Sequence, residues 1–112
     1  MNNILSLISL CKRAAKLVLG FDRVKESILN YQAQGVYLTK DLSSKTKKEV
    51  EFLCAREQIP LEYLPYTMEE IKHAVGKASG VLAITDKGLA NKLNQQIKAA
   101  NAAAAQGQPE NQ

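Results

Sequence analysis

Few residues that can do chemistry stand where an enzyme would need them. His73 is the one imidazole of the 112-residue chain. It lies in Ile71-Lys72-His73-Ala74-Val75-Gly76, on a short predicted helix, where a surface or packing role is expected. The pair Gly76-Lys77 lacks both the upstream glycine and the following Ser or Thr of a phosphate-cradling loop. No GxSxG or GxGxxG is present. Glu69 and Glu70 are adjacent and point to different helix faces, so they are expected to serve helix capping. Asp41 with Ser43, and Asp86 with Thr85, read as helix caps rather than acid/base pairs. Cys11 and Cys54 follow apolar neighbours and read as buried free thiols. With no CxxC and a single His, no Cys/His metal site is expected. No catalytic residue, cofactor or metal is therefore predicted, and a binding protein is favoured over an enzyme.

One stretch carries binding chemistry. Gly20-Phe21-Asp22-Arg23-Val24-Lys25-Glu26 follows the apolar run Leu17-Val18-Leu19. A glycine lets the backbone approach a ligand where a side chain would block it. A helix that starts at once offers free amides and a positive dipole end to anions. An acid, an arginine and a lysine share its first turn. It reads either as a phosphate-facing tip or as an ordinary charged helix start.

Charge bears on both readings. The formal net charge is +4 and the pI about 9.1, a balance that suits polyanions. Residues 1–20 carry Lys12, Arg13 and Lys16 and no acid. Residues 40–48 carry Lys40, Lys45, Lys47 and Lys48 against Asp41 alone. The bland reading is two solvated helix faces; the sharper one is a split basic surface for nucleic acid. The run at residues 4–10 is too short for a signal peptide, has no basic residue before it and is interrupted by Lys12-Arg13. No segment reaches membrane-spanning length. A soluble, cytoplasmic protein in a reducing compartment is expected.

These residues need a scaffold, and the apolar pattern supplies one. Ile4, Leu7, Ile8, Cys11, Ala14 and Ala15 recur at helical spacing, predicting a helix over 3–14. Residues 16–19 read as a buried strand ended by Gly20. Phe21, Val24, Ile28 and Tyr31 form the stripe of a second helix over 21–32. Val36-Tyr37-Leu38-Thr39 reads as a strand. A third helix over 44–57 turns Val50, Leu53 and Cys54 inward and ends before Pro60. Residues 61–64 form a third strand. Thr67-Met68-Glu69-Glu70 fits a capping box opening a fourth helix. Residues 76–80 form a small-residue loop, 81–84 a fourth strand, and Asp86 caps a fifth helix with Leu89, Leu93 and Ile97 on one face. Strands alternating with helices predict an α/β class, a three-layer α/β/α sandwich with a four-stranded mixed sheet. The domain is expected to span 1–98, with 99–112 an Ala/Gln-rich disordered tail.

The order of elements and several segments resemble the ribosomal L-seven-Ae / L-thirty-e family of kink-turn RNA-binding proteins, in its bacterial YlxQ-like branch. The segments are LISLCKRAAKLVLG, TKDLSSKTKKEVEFLC, IPLEYL, EEIKHAVGK and VLAITDKGLANKL, together covering about residues 4–98. The resemblance implies a non-catalytic, monomeric, ribosomal-type protein that binds structured RNA, ribosomal RNA included, with no DNA or membrane partner. It implies an RNA-binding end made of Gly20–Glu26, Gly76–Gly80 and the residues around Lys40–Ser43. The candidate contacts are Lys16, Gly20, Asp22, Arg23, Lys25, Glu26, Lys40, Ser43, Lys77, Ala78 and Ser79. The family's RNA readers follow the glycine with a small residue, Asn or Lys, then Glu or Gln, and a Lys three positions later. Here those positions hold Phe21, Asp22, Arg23 and Glu26. An ionised Asp accepts but cannot donate, and Glu26 repels phosphate. The alternative is an interaction module that keeps the fold and has lost specific kink-turn recognition.

Overall fold

The computed structural model describes residues 3–107, with side chains described through 103. Five helices alternate with four strands: α1 (Asn3–Arg13), β1 (Leu17–Leu19), α2 (Phe21–Leu29), β2 (Gly35–Leu38), α3 (Ser44–Glu57), β3 (Leu61–Tyr63), α4 (Met68–Val75), β4 (Val81–Ile84) and α5 (Lys87–Gly107). The sheet order is β1-β4-β2-β3. β4 runs antiparallel to both β1 and β2, and β3 runs parallel to β2. The mixed sheet and the helical layer on each side match the fold class predicted.

Alternation along the central strands builds two cores. Leu82 and Ile84 of β4 and Tyr37 of β2 face α1, α4 and α5, where Ile8, Cys11, Ile71, Leu93 and Ile97 are buried. Val81, Ala83, Val36 and Leu38 face α2 and α3, against Val24, Ile28, Val50, Leu53 and Cys54. Both cysteines are buried and unpaired, as expected. The one large polar group in the first core, the Tyr37 hydroxyl, donates to Asn94 Oδ1 at 2.7 Å, which satisfies it where burial would otherwise be costly.

Helix ends follow the predicted chemistry with three corrections. The Thr67 hydroxyl and Glu70 carboxylate form the capping box of α4, and Asp86 Oδ2 accepts from Leu89 N at 2.9 Å. Ser43 caps α3 by accepting from Thr46 N. Asp41 does not cap α3. Its carboxylate accepts from Met68 N at 3.1 Å, so it ties the β2–α3 loop to the first turn of α4. The predicted α2 stripe also ran too far. The helix stops at Leu29, Tyr31 turns left-handed at φ 61°, and its side chain is 76% exposed. Ala14 and Ala15 similarly lie past the end of α1, exposed rather than in its buried stripe.

Burial and helicity part company in α5. Ile97 is buried while residues 98–103 are exposed. The backbone stays helical through Gly107, because alanine is the best helix former and glycine a poor one. Residues 108–112 of the expected tail lie outside the described residues.

Candidate nucleic-acid interface

One end of the sheet gathers the C-termini of β1, β2 and β3 and the N-terminus of β4, since Leu38 pairs with Val81 and with Tyr63, and Leu19 with Leu82. Gly20, Lys40, Asp41, Ser43 and the loop Gly76–Gly80 all emerge there. The α2 start is held to that loop by a compact hydrogen-bond set. Gly20 N donates to Val81 O and to Ser79 Oγ, each at 3.0 Å. Ser79 Oγ donates in turn to Val81 O at 2.8 Å. Gly20 has φ 99° and ψ 146°, a backbone region that L side chains rarely adopt. Nothing lies within 4 Å of where its Cβ would be, so the surface beside it is open. Gly76 ends α4 at φ 85°, turning the chain into the same loop. The chain thus reaches this end through two glycine turns, and the Ser79 side chain bonds the Gly20 turn to the start of β4.

Each predicted contact can now be placed. Arg23, Lys77 and the previously unselected Lys12 line one groove of about 340 Å³. Its apolar floor is Leu17, Leu19 and Val75, and no acid lines it. Asp22, Lys25 and Glu26 line a different hollow, with Leu29 and Asn30. The division follows from helix geometry: Asp22, Lys25, Glu26 and Leu29 share one side of α2, whereas Arg23 is turned about 60–160° away from them. The acids that break the resemblance therefore do not face the arginine's groove. Lys25 Nζ lies 6.0 Å from the Phe21 ring centroid.

The remaining candidates separate further. Lys40 and Ala78 are exposed at the gathered end. Ser43 is exposed there too, but its oxygen is engaged in capping α3. Ser79 is buried, 6% exposed, and acts on the loop geometry. Lys16 lies at the other end of β1, where its carbonyl accepts from Thr85 N; three strand residues, roughly 13 Å of extended chain from Lys16 to Gly20, separate it from the tip. The signal for Lys12 was the acid-free stretch 1–20. The helical period alone could not say which of its cations turned toward the groove.

The groove also runs beside an open strand edge. Lys16 O accepts from Thr85 N just past β4, and Gly20 N donates to Val81 O of β4, so Val18 between them bonds inward to β4 and the amides of Leu17 and Leu19 face outward. Among the described residues the ion pairs are Arg56–Glu57, His73–Glu69 and Lys98–Glu62. Lys12, Arg23, Lys40 and Lys77 are in none of them. Unpaired cations over an apolar floor can take phosphate oxygens while the floor accepts a sugar or base face. His73 is exposed, with Nε2 3.6 Å from Glu69 Oε2. No cluster of three or more metal-ligating side chains occurs among the described residues, and no described helix is long and apolar enough to cross a membrane.

Comparison with known proteins shows the family and the fold. A family model described as the Ribosomal protein L7Ae/L30e/S12e/Gadd45 family matches residues 2–94. The RNA-binding protein YlxQ of Bacillus subtilis (strain 168) is 39% identical over 92 residues, spanning 78% of this chain and 87% of that protein. YlxQ of Enterococcus faecium, also named an RNA-binding protein, is 33% identical over 94 residues, 84% of this chain and 90% of its own. A solved structure of a protein of unknown function from Bacillus halodurans C superposes with a TM-score of 0.80 at 31% identity, covering 85% of this chain and 96% of that one. The Giardia lamblia 15.5kD RNA binding protein superposes at 0.71 over 88% of this chain and 91% of its own, at 13% identity, a likeness of fold alone.

Proposed function

This chain belongs to the Ribosomal protein L7Ae/L30e/S12e/Gadd45 family, and from that premise we propose that it is a non-catalytic RNA-binding protein of the YlxQ type, acting in the cytoplasm on structured RNA. The observation that carries the reading is the groove in which Lys12, Arg23 and Lys77 converge without an acid beside the Gly20 turn. In this reading Gly20 and the α2 start meet the RNA backbone closely, and the three cations take phosphates. Lys40 extends the same surface across the end of the sheet. The two buried free thiols suit a reducing compartment.

The finer target is a kinked RNA helix within a ribosomal or similar particle. A bend exposes base edges and unstacked nucleotides that a plain A-form duplex hides. Asp22 and Glu26 point away from the groove, so they set what the outer face of α2 tolerates rather than cancelling Arg23. The reading predicts tighter binding to kink-turn RNA than to a duplex of equal length in gel-shift titrations. Arg23→Glu should weaken binding by about tenfold or more. Lys87→Glu, at the opposite end of the sheet, should leave it within about twofold. Equal losses for the two variants would refute the groove as the site. Binding to neither RNA at low salt by folded protein would refute the function.

A further inference from the structure

The outward side of α3 carries a second pattern that the groove does not use. Val50, Leu53 and Cys54 are buried. On the opposite side, Lys45, Lys48, Phe52 and Arg56 fall within about 80° of arc and rise about 16 Å along the helix. Phe52 is 64% exposed. The Arg56 guanidinium carbon lies 5.7 Å from its ring centroid, and Glu57 holds Arg56 Nε at 3.0 Å. Lys45 and Lys48 are in no ion pair among the described residues. Glu49 stands at the margin of the stripe.

A neighbouring aromatic shows what is particular about Phe52. Tyr63 is also exposed, at 47%. Its hydroxyl, however, is bonded to Glu51 and its face is covered by Lys47 Nζ at 5.2 Å from the centroid. Phe52 has no polar tip to satisfy and stands between two free lysines and an arginine. An apolar partner surface would gain nothing from those cations, whereas a polyanion with flat faces would use both. The stripe begins at Lys45, two residues after the Ser43 cap that lies at the gathered end of the sheet, so it leads away from the proposed groove down the α2/α3 side.

We propose that this stripe binds a single-stranded RNA segment continuing from the structured element held at the tip. Phe52 stacks on one base, Arg56 packs over the ring and meets a neighbouring phosphate, and Lys45 and Lys48 take phosphates nearer the tip. Base–aromatic stacking combined with a line of cations is how single strands are held without sequence preference. The inference rests on the RNA-binding reading for its context but on different residues for its chemistry.

Fluorescence anisotropy with three labelled RNAs separates the two: a compact kinked RNA, the same RNA with a tail of about ten uridines, and the tail alone. The tail should raise affinity for the kinked RNA by about tenfold. Phe52→Leu and Lys45→Gln/Lys48→Gln should abolish that gain while leaving binding of the tailless RNA unchanged. Phe52→Tyr should keep the gain, because stacking needs a ring rather than apolar bulk. All four positions are exposed, and unchanged melting curves would show the variants folded. If the tailless RNA binds and the tail adds nothing, or if Phe52→Leu keeps the gain, the stripe is not an RNA surface. If the tail alone binds through Phe52 while the kinked RNA does not, the stripe stands and the tip reading falls. Absence of binding to all three would remove both.

Discussion

At the scale of single residues, the molecule separates groups that shape the site from groups that would touch a ligand. Ser79 illustrates the first kind: its hydroxyl joins Gly20 N to Val81 O and is spent there. Arg23 illustrates the second, held by no ion pair and turned into a groove with two other cations. The cysteines belong to neither and act on stability. Burial pushes the Cys54 thiol up from 9.0 to about 11, and Cys11 is raised by burial first and then by the Asp86 charge. The fold thus keeps Cys54 neutral where the unfolded chain would ionise it. That contribution is fully present below about pH 9 and is lost as the pH rises from about 9 to about 11. The stability difference between wild type and Cys54→Ala, from urea titrations, should be constant from about pH 7 to 8.5. Above about pH 9 it should narrow by up to ~1.4 kcal/mol per unit. A difference that stayed flat to about pH 10.5 would mean the thiol ionises as freely in the fold as outside it.

At the scale of elements, the β1–α2 junction shapes the proposed site. Gly20 sits at positive φ with empty space around its missing Cβ, so Gly20→Ala meets strain but no clash. It should cost ~1–3 kcal/mol of unfolding free energy and weaken RNA binding, because the α2 start would rotate to relieve the strain. D-alanine at the same position, introduced by chemical ligation, should restore most of both, since its mirror geometry accepts positive φ. Equal damage from both enantiomers would show that volume rather than backbone conformation matters there. This junction was legible in the sequence, because an apolar run closed by glycine and followed by a 3.6-residue stripe has few other readings. The α3 boundaries were legible for the same reason, through Ser43 and Ile59-Pro60. What could not be read was direction in space. Lys12 and Lys16 sit one helical turn apart in sequence, yet β1 runs between the end where Lys16 lies and the tip. Asp41 looked like a cap for the helix that follows it, and tertiary packing gave it to α4 instead. Phe52 carries no signal in the apolar period of α3, because that period marks only the helix's inward side.

At the scale of the whole molecule, the proposed groove has to attract a polyanion with an excess of only four positive charges. The answer lies in arrangement. Acids are spread over the fold, several of them in caps or ion pairs, such as Glu70, Asp86, Glu57 and Glu62, while the cations of the groove are in no ion pair among the described residues. The groove is therefore free of acids although the molecule is not, and RNA bound there would release counterions from its cations. The affinity for structured RNA should fall with salt, with a log–log slope that shrinks by about one for each phosphate-contacting cation removed. Lys12→Gln with Lys77→Gln should reduce the slope by about two. Lys87→Gln should leave it unchanged, because Lys87 follows Thr85 at the end of the sheet away from the groove. Neutral replacements keep the outcome clear of new repulsion, so a lowered affinity with an unchanged slope would mean the lysines act through the fold rather than through phosphates. An equal fall in slope for Lys87→Gln would mean the RNA is attracted by total charge alone. In that case the acid-free groove would carry no special weight, and the α3 stripe would have to hold the RNA in register by itself.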